Sequence, residues 1–69
     1  MTVWVATCVD HHVQGIIGVF RELEDAKRAV DVWRLESRDV LLGEWEADGE
    51  GHFQRGSFYD YVIRPYEVR

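Results

Sequence analysis

The side chains of this sequence that could bind a metal ion or serve in acid–base chemistry are concentrated in two polar stretches. They are Cys8, Asp10, His11 and His12 in the first, and Asp48, Glu50 and His52 in the second. Thiolates, imidazoles and carboxylates are the ligands that zinc prefers, but this spacing matches no zinc motif. The predicted sheet also places the two turns at opposite ends of a strand, roughly 20 Å apart. Solvated turn residues are therefore favoured, and a small metal-dependent enzyme is kept as an alternative.

A second chemical possibility is a nucleophilic thiol. Cys8 alternates with Trp4 and Ala6 on an apolar strand face, which indicates a small buried hydrophobe rather than an activated thiolate. Gly15 and Gly18 do not lead directly into a helix, so they form no phosphate-binding loop. We predict no catalytic residue, no metal ligand and no cofactor.

Composition describes an acidic, single-domain protein. The chain has 69 residues, a formal net charge of −5 and 46% hydrophobic residues, and we predict one domain over residues 1–69. The acidic balance argues against direct binding of nucleic acid or of an anionic membrane, and it permits a basic protein surface as partner. The lone cysteine forms no internal disulfide, and no apolar run has membrane length. These features predict the cytoplasm of a bacterial cell or of a phage-infected host.

The elements that must position these residues are organised around one helix, predicted over residues 21–37. Leu23, Ala26, Val30 and Trp33 are spaced three, four and three apart, which places them on one helical face. Arg21 is a poor N-cap, so the start is fixed only to within a residue or two.

Strands are predicted before and after the helix, over 2–9, 14–20, 39–47 and 52–69, with the last interrupted at 55–57. The residues at 48–51 form a hairpin turn signal. The order ββαββ predicts an α+β two-layer sandwich, with one helix packed on a four-stranded, mainly antiparallel sheet. Strand order 2-1-3-4 fits a right-handed crossover, and order 1-2-4-3 remains open.

The first two strands are apolar on both faces, and one helix covers only one face of a sheet. A second copy on the open face is the simplest remedy, so we predict a homodimer whose self-association face contains Trp4, Ile17 and Val19. The alternative is that the aromatic C-terminal segment folds over this face. A separate acidic strip is predicted to bind a basic partner; it comprises Glu44, Glu46, Asp48 and Glu50.

Four segments carry a resemblance to known sequences: VWVAT in the first strand, GIIGVF in the second, ELEDAKRAV in the helix and YVIRPYEV near the end. Together the pattern resembles a loose group of short phage and actinobacterial ββαββ proteins. Members of that group carry a small polar helix cap where this chain has Arg21. The resemblance implies the fold and no catalytic residue.

Three functions follow as hypotheses. The first is a non-enzymatic protein–protein interaction module that forms a homodimer. The second is a phage-encoded inhibitor of a bacterial defence enzyme that acts through its acidic surface. The third is the small metal-dependent enzyme.

Overall fold

The computed structural model describes residues 1–10 and 14–69. Its elements in chain order are β1 (Thr2–Val9), β2 (Gln14–Phe20), α1 (Leu23–Glu36), β3 (Glu46–Ala47), β4 (His52–Arg55) and β5 (Asp60–Glu67). The fold is α+β, as predicted, with one helix and a five-stranded antiparallel sheet in the described residues.

The strand order in the sheet is β2-β1-β5-β4-β3, so both predicted orders are wrong. The C-terminal segment lies at the centre of the sheet, because β5 pairs with β1 over eight residues on one side and with β4 on the other. A strand of eight residues that buries Tyr61 and Ile63 gains most from a central position, where neighbours on both sides satisfy its backbone. The same pairing excludes the alternative in which this segment folds over the open face.

The predicted strand over 39–47 is reduced to a single bridge at Leu41 and the two residues of β3, at the edge of the sheet. In its place, the segment 52–69 supplies two strands, joined by a turn at 56–59. The predicted hairpin at 48–51 is confirmed, since it joins β3 to β4 and the Asp48 N–H donates to the Gly51 carbonyl at 3.1 Å.

Pro65 lies within β5, beyond the last residue paired with β4. Its missing N–H therefore costs no ladder hydrogen bond on that side, which explains why a proline is tolerated in a central strand.

The helix lies within the predicted range and begins after Glu22, which occupies the N-cap position without a side-chain hydrogen bond. At its C-terminal end, the Arg38 N–H donates to the Leu35 carbonyl and the Asp39 N–H to the Arg34 carbonyl. This is the Schellman arrangement, and it places Arg38 at a φ of 57°. The chain therefore turns sharply and delivers Asp39 to the interior.

The core lies between the helix and one face of the sheet. Its buried apolar residues come from β1, α1 and β5: Ala6, Cys8, Ala26, Val30, Tyr61 and Ile63. Cys8 is thus a buried free thiol, as the alternation predicts. Trp33 packs edge-on against Tyr59 and Tyr61, with ring centroids 5.1 and 6.0 Å away.

A β-bulge in β2 decides which of its side chains reach that core. Ala6 is opposite Gly18, but Thr7 is opposite Ile16, so Ile17 is an extra residue in β2. Ile17 therefore joins Phe20 against the core, while Ile16 and Val19 are exposed on the other face. Strict alternation, on which the sequence prediction relied, puts Ile17 on the wrong face.

Candidate protein-interaction surface

The candidate site is the face of the sheet opposite the helix, together with the loop of residues 40–46 that borders it. The side chain of Asp39 holds that loop in place, and this residue is buried, with only 3% of its surface exposed. Its Oδ1 accepts hydrogen bonds from the Ser57 hydroxyl at 2.7 Å and the Phe58 N–H at 3.0 Å. Its Oδ2 accepts from the Tyr61 hydroxyl at 2.5 Å and the Tyr59 N–H at 3.3 Å. A single side chain thus joins the end of the helix to the β4–β5 turn.

The hydrogen bonds reverse the usual effect of burial on this carboxyl group. Burial by itself would raise its pKa, but donors from Tyr61, Ser57 and the N–H groups of Phe58 and Val40 lower the pKa of Asp39 from 3.8 to about 2. Burial, followed by the hydrogen bond to Asp39 and its negative charge, raises the pKa of Tyr61 above its ordinary value of 10.0. Asp39 is therefore a charged, fully bonded anchor and has no free oxygen for catalysis.

The turn beside Asp39 requires a glycine. A Cβ on Gly56 would collide with the Asp39 carboxylate and would lie 2.8 Å from the Tyr59 carbonyl oxygen. This close approach lets the Ser57 N–H donate to the Val40 carbonyl and the Leu42 N–H to the Arg55 carbonyl. Residues 40–46 consequently form a fixed border along β4.

The uncovered face can be read from the strand register. Thr7 of β1 is paired with Val62 of β5, and Val62 with Phe53 of β4. Side chains two residues apart share a face, so the members on the face opposite the core follow from these pairs. We call this set the open face: Val3, Val5, Thr7, Val9, Gln14, Ile16, Val19, Glu46, Phe53, Arg55, Asp60, Val62, Arg64 and Tyr66.

Much of the open face, together with Leu42 and Glu44 of the border, lines a groove with a volume of about 780 Å³. Its floor is apolar, because the four β1 residues are three valines and a threonine. No described helix or loop covers this floor, since α1 lies against the buried cluster on the other face. The shape is that of a broad groove rather than an enclosed pocket.

Four residues of the open face are charged, and they differ in whether they form an ion pair. Arg55 Nε lies 3.9 Å from Asp60 Oδ1, which makes one ion pair across β4 and β5. Arg64, beside Val5, forms no ion pair with any described residue, and the same holds for Glu44 and Glu46. The groove therefore has one unpaired cation on its floor and two unpaired anions on its border.

The three residues predicted to form the self-association face do not share one face. Trp4 and Ile17 pack against the buried cluster, while Val19 is exposed. Trp4 also contacts the His52 ring edge-on, at a centroid distance of 5.7 Å. Only Val19 is therefore available at the open face, and its part in self-association stays a prediction.

The four residues of the predicted acidic strip are all exposed, but they are in different situations. Glu44 and Glu46 border the groove, whereas Asp48 Oδ1 accepts hydrogen bonds from the N–H groups of Glu50 and Gly51, at 2.7 and 3.1 Å. Asp48 thus stabilises the β3–β4 turn, and the unpaired carboxylates that remain are those of the three glutamates.

The predicted turn with His11 and His12 lies outside the described residues. Within residues 1–10 and 14–69, no three His, Cys, Asp or Glu residues converge to hold a metal ion. In the same part of the chain, no helix has the length and apolar character needed to cross a membrane.

Sequence reasoning missed Asp39 because its side-chain partners Ser57 and Tyr61 are 18 and 22 residues away. One local signal was present. A carboxylate directly after the C-terminus of a helix opposes the helix dipole, so an aspartate there indicates another role.

Comparisons with known proteins identify no relative. No family model matches the chain, and neither a curated protein nor a solved structure matches it.

Proposed function

We propose that this chain is a non-enzymatic protein-interaction module that forms a homodimer through its open face. The observation that carries the proposal is the apolar floor of Val3, Val5, Val9 and Val62, which no described element covers. These four side chains are half-buried in the single chain, and apolar surfaces left uncovered in this way are rare on monomers and mark sites of association. In this proposal, helix and sheet form the two layers of the protomer, and the second copy adds the next layer.

The size of the open face supports a second copy as its occupant. Strands β2, β1, β5 and β4 contain 7, 8, 8 and 4 residues. At about 3.4 Å per residue and 4.8 Å between strands, they span roughly 450 Å² in projection. Side-chain relief raises the accessible area above this projected value, toward the roughly 600–1,000 Å² per partner that stable interfaces bury. Face-to-face packing of two sheets at a spacing of about 10 Å is a common way to bury such surfaces.

The charge of the open face also supports self-association. A protein with a net charge of −5 is repelled by its own copy unless the contact surfaces are locally balanced. The groove floor and border provide that balance, since they combine Arg55 and Arg64 with Glu44, Glu46 and Asp60.

The experiment compares two double variants with equal added charge. Ile16→Glu with Val19→Glu places two carboxylates on exposed positions of the open face, whereas Val32→Glu with Leu35→Glu places two on exposed positions of the helix. We expect the first variant to be a folded monomer by circular dichroism and sedimentation, and the second to remain a dimer. A dimer in the first variant would contradict the assignment of the face.

A second candidate is an inhibitor that docks on a basic surface, for example that of a bacterial defence enzyme attacked by a phage. It is favoured by the exposed, unpaired carboxylates of Glu44, Glu46 and Glu50. Such a protein would be a monomer until its basic partner is added, so the solution mass of the isolated chain separates the two candidates.

A further inference from the structure

Arg64 lies at the open face, and the role assigned to it below rests on the homodimer proposed above. Arg64 projects from the open face because it lies between Val62 and Tyr66 on that side of β5 and is paired with Val5 of β1. Its side chain passes beside Gly51, the residue before β4, since a Cβ built on Gly51 would lie 3.0 Å from Arg64 Cγ. Arg64 is also one of the residues that line the groove.

A second copy seated on the open face would take Arg64 out of water. Burying an unpaired guanidinium group is strongly unfavourable, which would oppose the dimer. The dimer avoids this cost if a carboxylate of the opposing copy forms an ion pair with the Arg64 guanidinium group. The two-fold symmetry of a dimer supplies the same carboxylates that this chain carries on its own face.

Two of the three carboxylates around the groove are available for this pair. Asp60 is already paired with Arg55 within its own chain, which leaves Glu44 and Glu46 on the border. Glu46 belongs to β3, two strands from β5 in the sheet, a lateral offset of about 10 Å. If the two-fold axis runs across the strands, this lateral offset is also the offset between Arg64 and Glu46 of the partner subunit, and extended arginine and glutamate side chains on facing sheets together cover it.

We propose that Arg64 is the specificity-determining residue of the dimer and pairs with Glu44 or Glu46 of the partner subunit. Guanidinium–carboxylate pairs are directional and can be bidentate, so this contact would fix the register of two faces whose central apolar contacts are non-directional. It would also exclude apolar surfaces that lack a carboxylate at this position. The position of Arg64, unpaired on the groove floor, is explained by such a partner.

The test is a charge exchange measured by sedimentation equilibrium. Arg64→Glu places three unpaired carboxylates around one groove, and we expect it to weaken the dimer by roughly 100-fold or more. The double variants Arg64→Glu with Glu44→Arg and Arg64→Glu with Glu46→Arg restore the opposite charges. We expect one of them to recover dimerisation to within about tenfold of the wild type.

The control is Arg28→Glu, which makes the same charge change on the exposed surface of the helix. We expect this control to change dimerisation by less than threefold. A wild-type dimer that tolerates Arg64→Glu as well as it tolerates the control would refute the role of Arg64 and leave the homodimer intact. Loss of the dimer without recovery in either exchange would refute the pairing with Glu44 and Glu46. A monomeric wild type would instead refute the proposed function itself.

Discussion

Replacing Asp39 by asparagine tests the anchor that holds the border of the open face. The variant keeps the shape of the side chain, but it removes the charge and turns one acceptor into a donor that faces other donors. The fall in pKa from 3.8 to about 2 corresponds to about 2 kcal/mol of stability at neutral pH. The amide NH₂ group that replaces one oxygen also faces these donors, above all the buried Tyr61 hydroxyl, and this mismatch adds a cost of about 1–2 kcal/mol. We therefore expect Asp39→Asn to lower the free energy of unfolding by about 2–4 kcal/mol.

This loss is large for a chain of 69 residues, whose total stability is expected to be about 3–10 kcal/mol. Urea titrations followed by tryptophan fluorescence measure it, with all variants at one protein concentration because dimerisation adds to apparent stability. The control is Asp25→Asn, which removes an exposed carboxylate that pairs with Arg28 on the helix and should cost less than about 0.5 kcal/mol.

The pH dependence provides an independent measurement of the same anchor. Because the pKa of Asp39 is lower in the folded state, its contribution is present above pH 3.8 and is lost as the pH falls toward 2. Wild-type stability should therefore fall by about 2 kcal/mol more than that of Asp39→Asn between pH 5 and pH 2. Equal stability of Asp39→Asn and Asp25→Asn at pH 7, or parallel acid profiles of Asp39→Asn and the wild type, would refute the reasoning.

Two further predictions concern the partners of Asp39. Gly56→Ala should destabilise the protein by more than about 2 kcal/mol, because its Cβ has no space beside Asp39, whereas Gly43→Ala meets no atom within 4 Å and should be nearly neutral; equal urea midpoints would contradict this. Tyr61→Phe should cost about 1–2 kcal/mol at pH 7 through its lost hydrogen bond. Because the pKa of the Tyr61 phenol is raised in the folded state, its contribution is present below pH 10 and lost above it. Alkaline urea titrations should thus show a steeper loss for the wild type than for Tyr61→Phe.

The helix, the first two strands and the hairpin turn could be predicted because local sequence patterns encode them. The spacing of Leu23, Ala26, Val30 and Trp33 located the helix, which the structure confirms over Leu23–Glu36. The two N-terminal strands and the turn at 48–51 also follow from local composition. Strand order was not predictable in this way, because it depends on which segment, distant in sequence, pairs with β1.

The candidate site was predictable only in outline. Apolar residues on both faces of β1 indicated that one face would need a partner, and the structure leaves that face uncovered by any described element. The residues on it could not be assigned by strict alternation. The bulge at Ile17 inserts one extra residue into β2, so the side chains on its two sides do not follow the same alternating pattern. The Asp39 anchor depends on contacts 18–22 residues apart in sequence, and no local pattern encodes contacts of that range.

The central claim is that a second copy covers the open face, and the solution mass of the wild-type chain tests it most directly. Light scattering across a wide concentration range should give twice the chain mass of 8.1 kDa, falling toward one chain mass only at the lowest concentrations. A mass of 8.1 kDa at every concentration would contradict the claim.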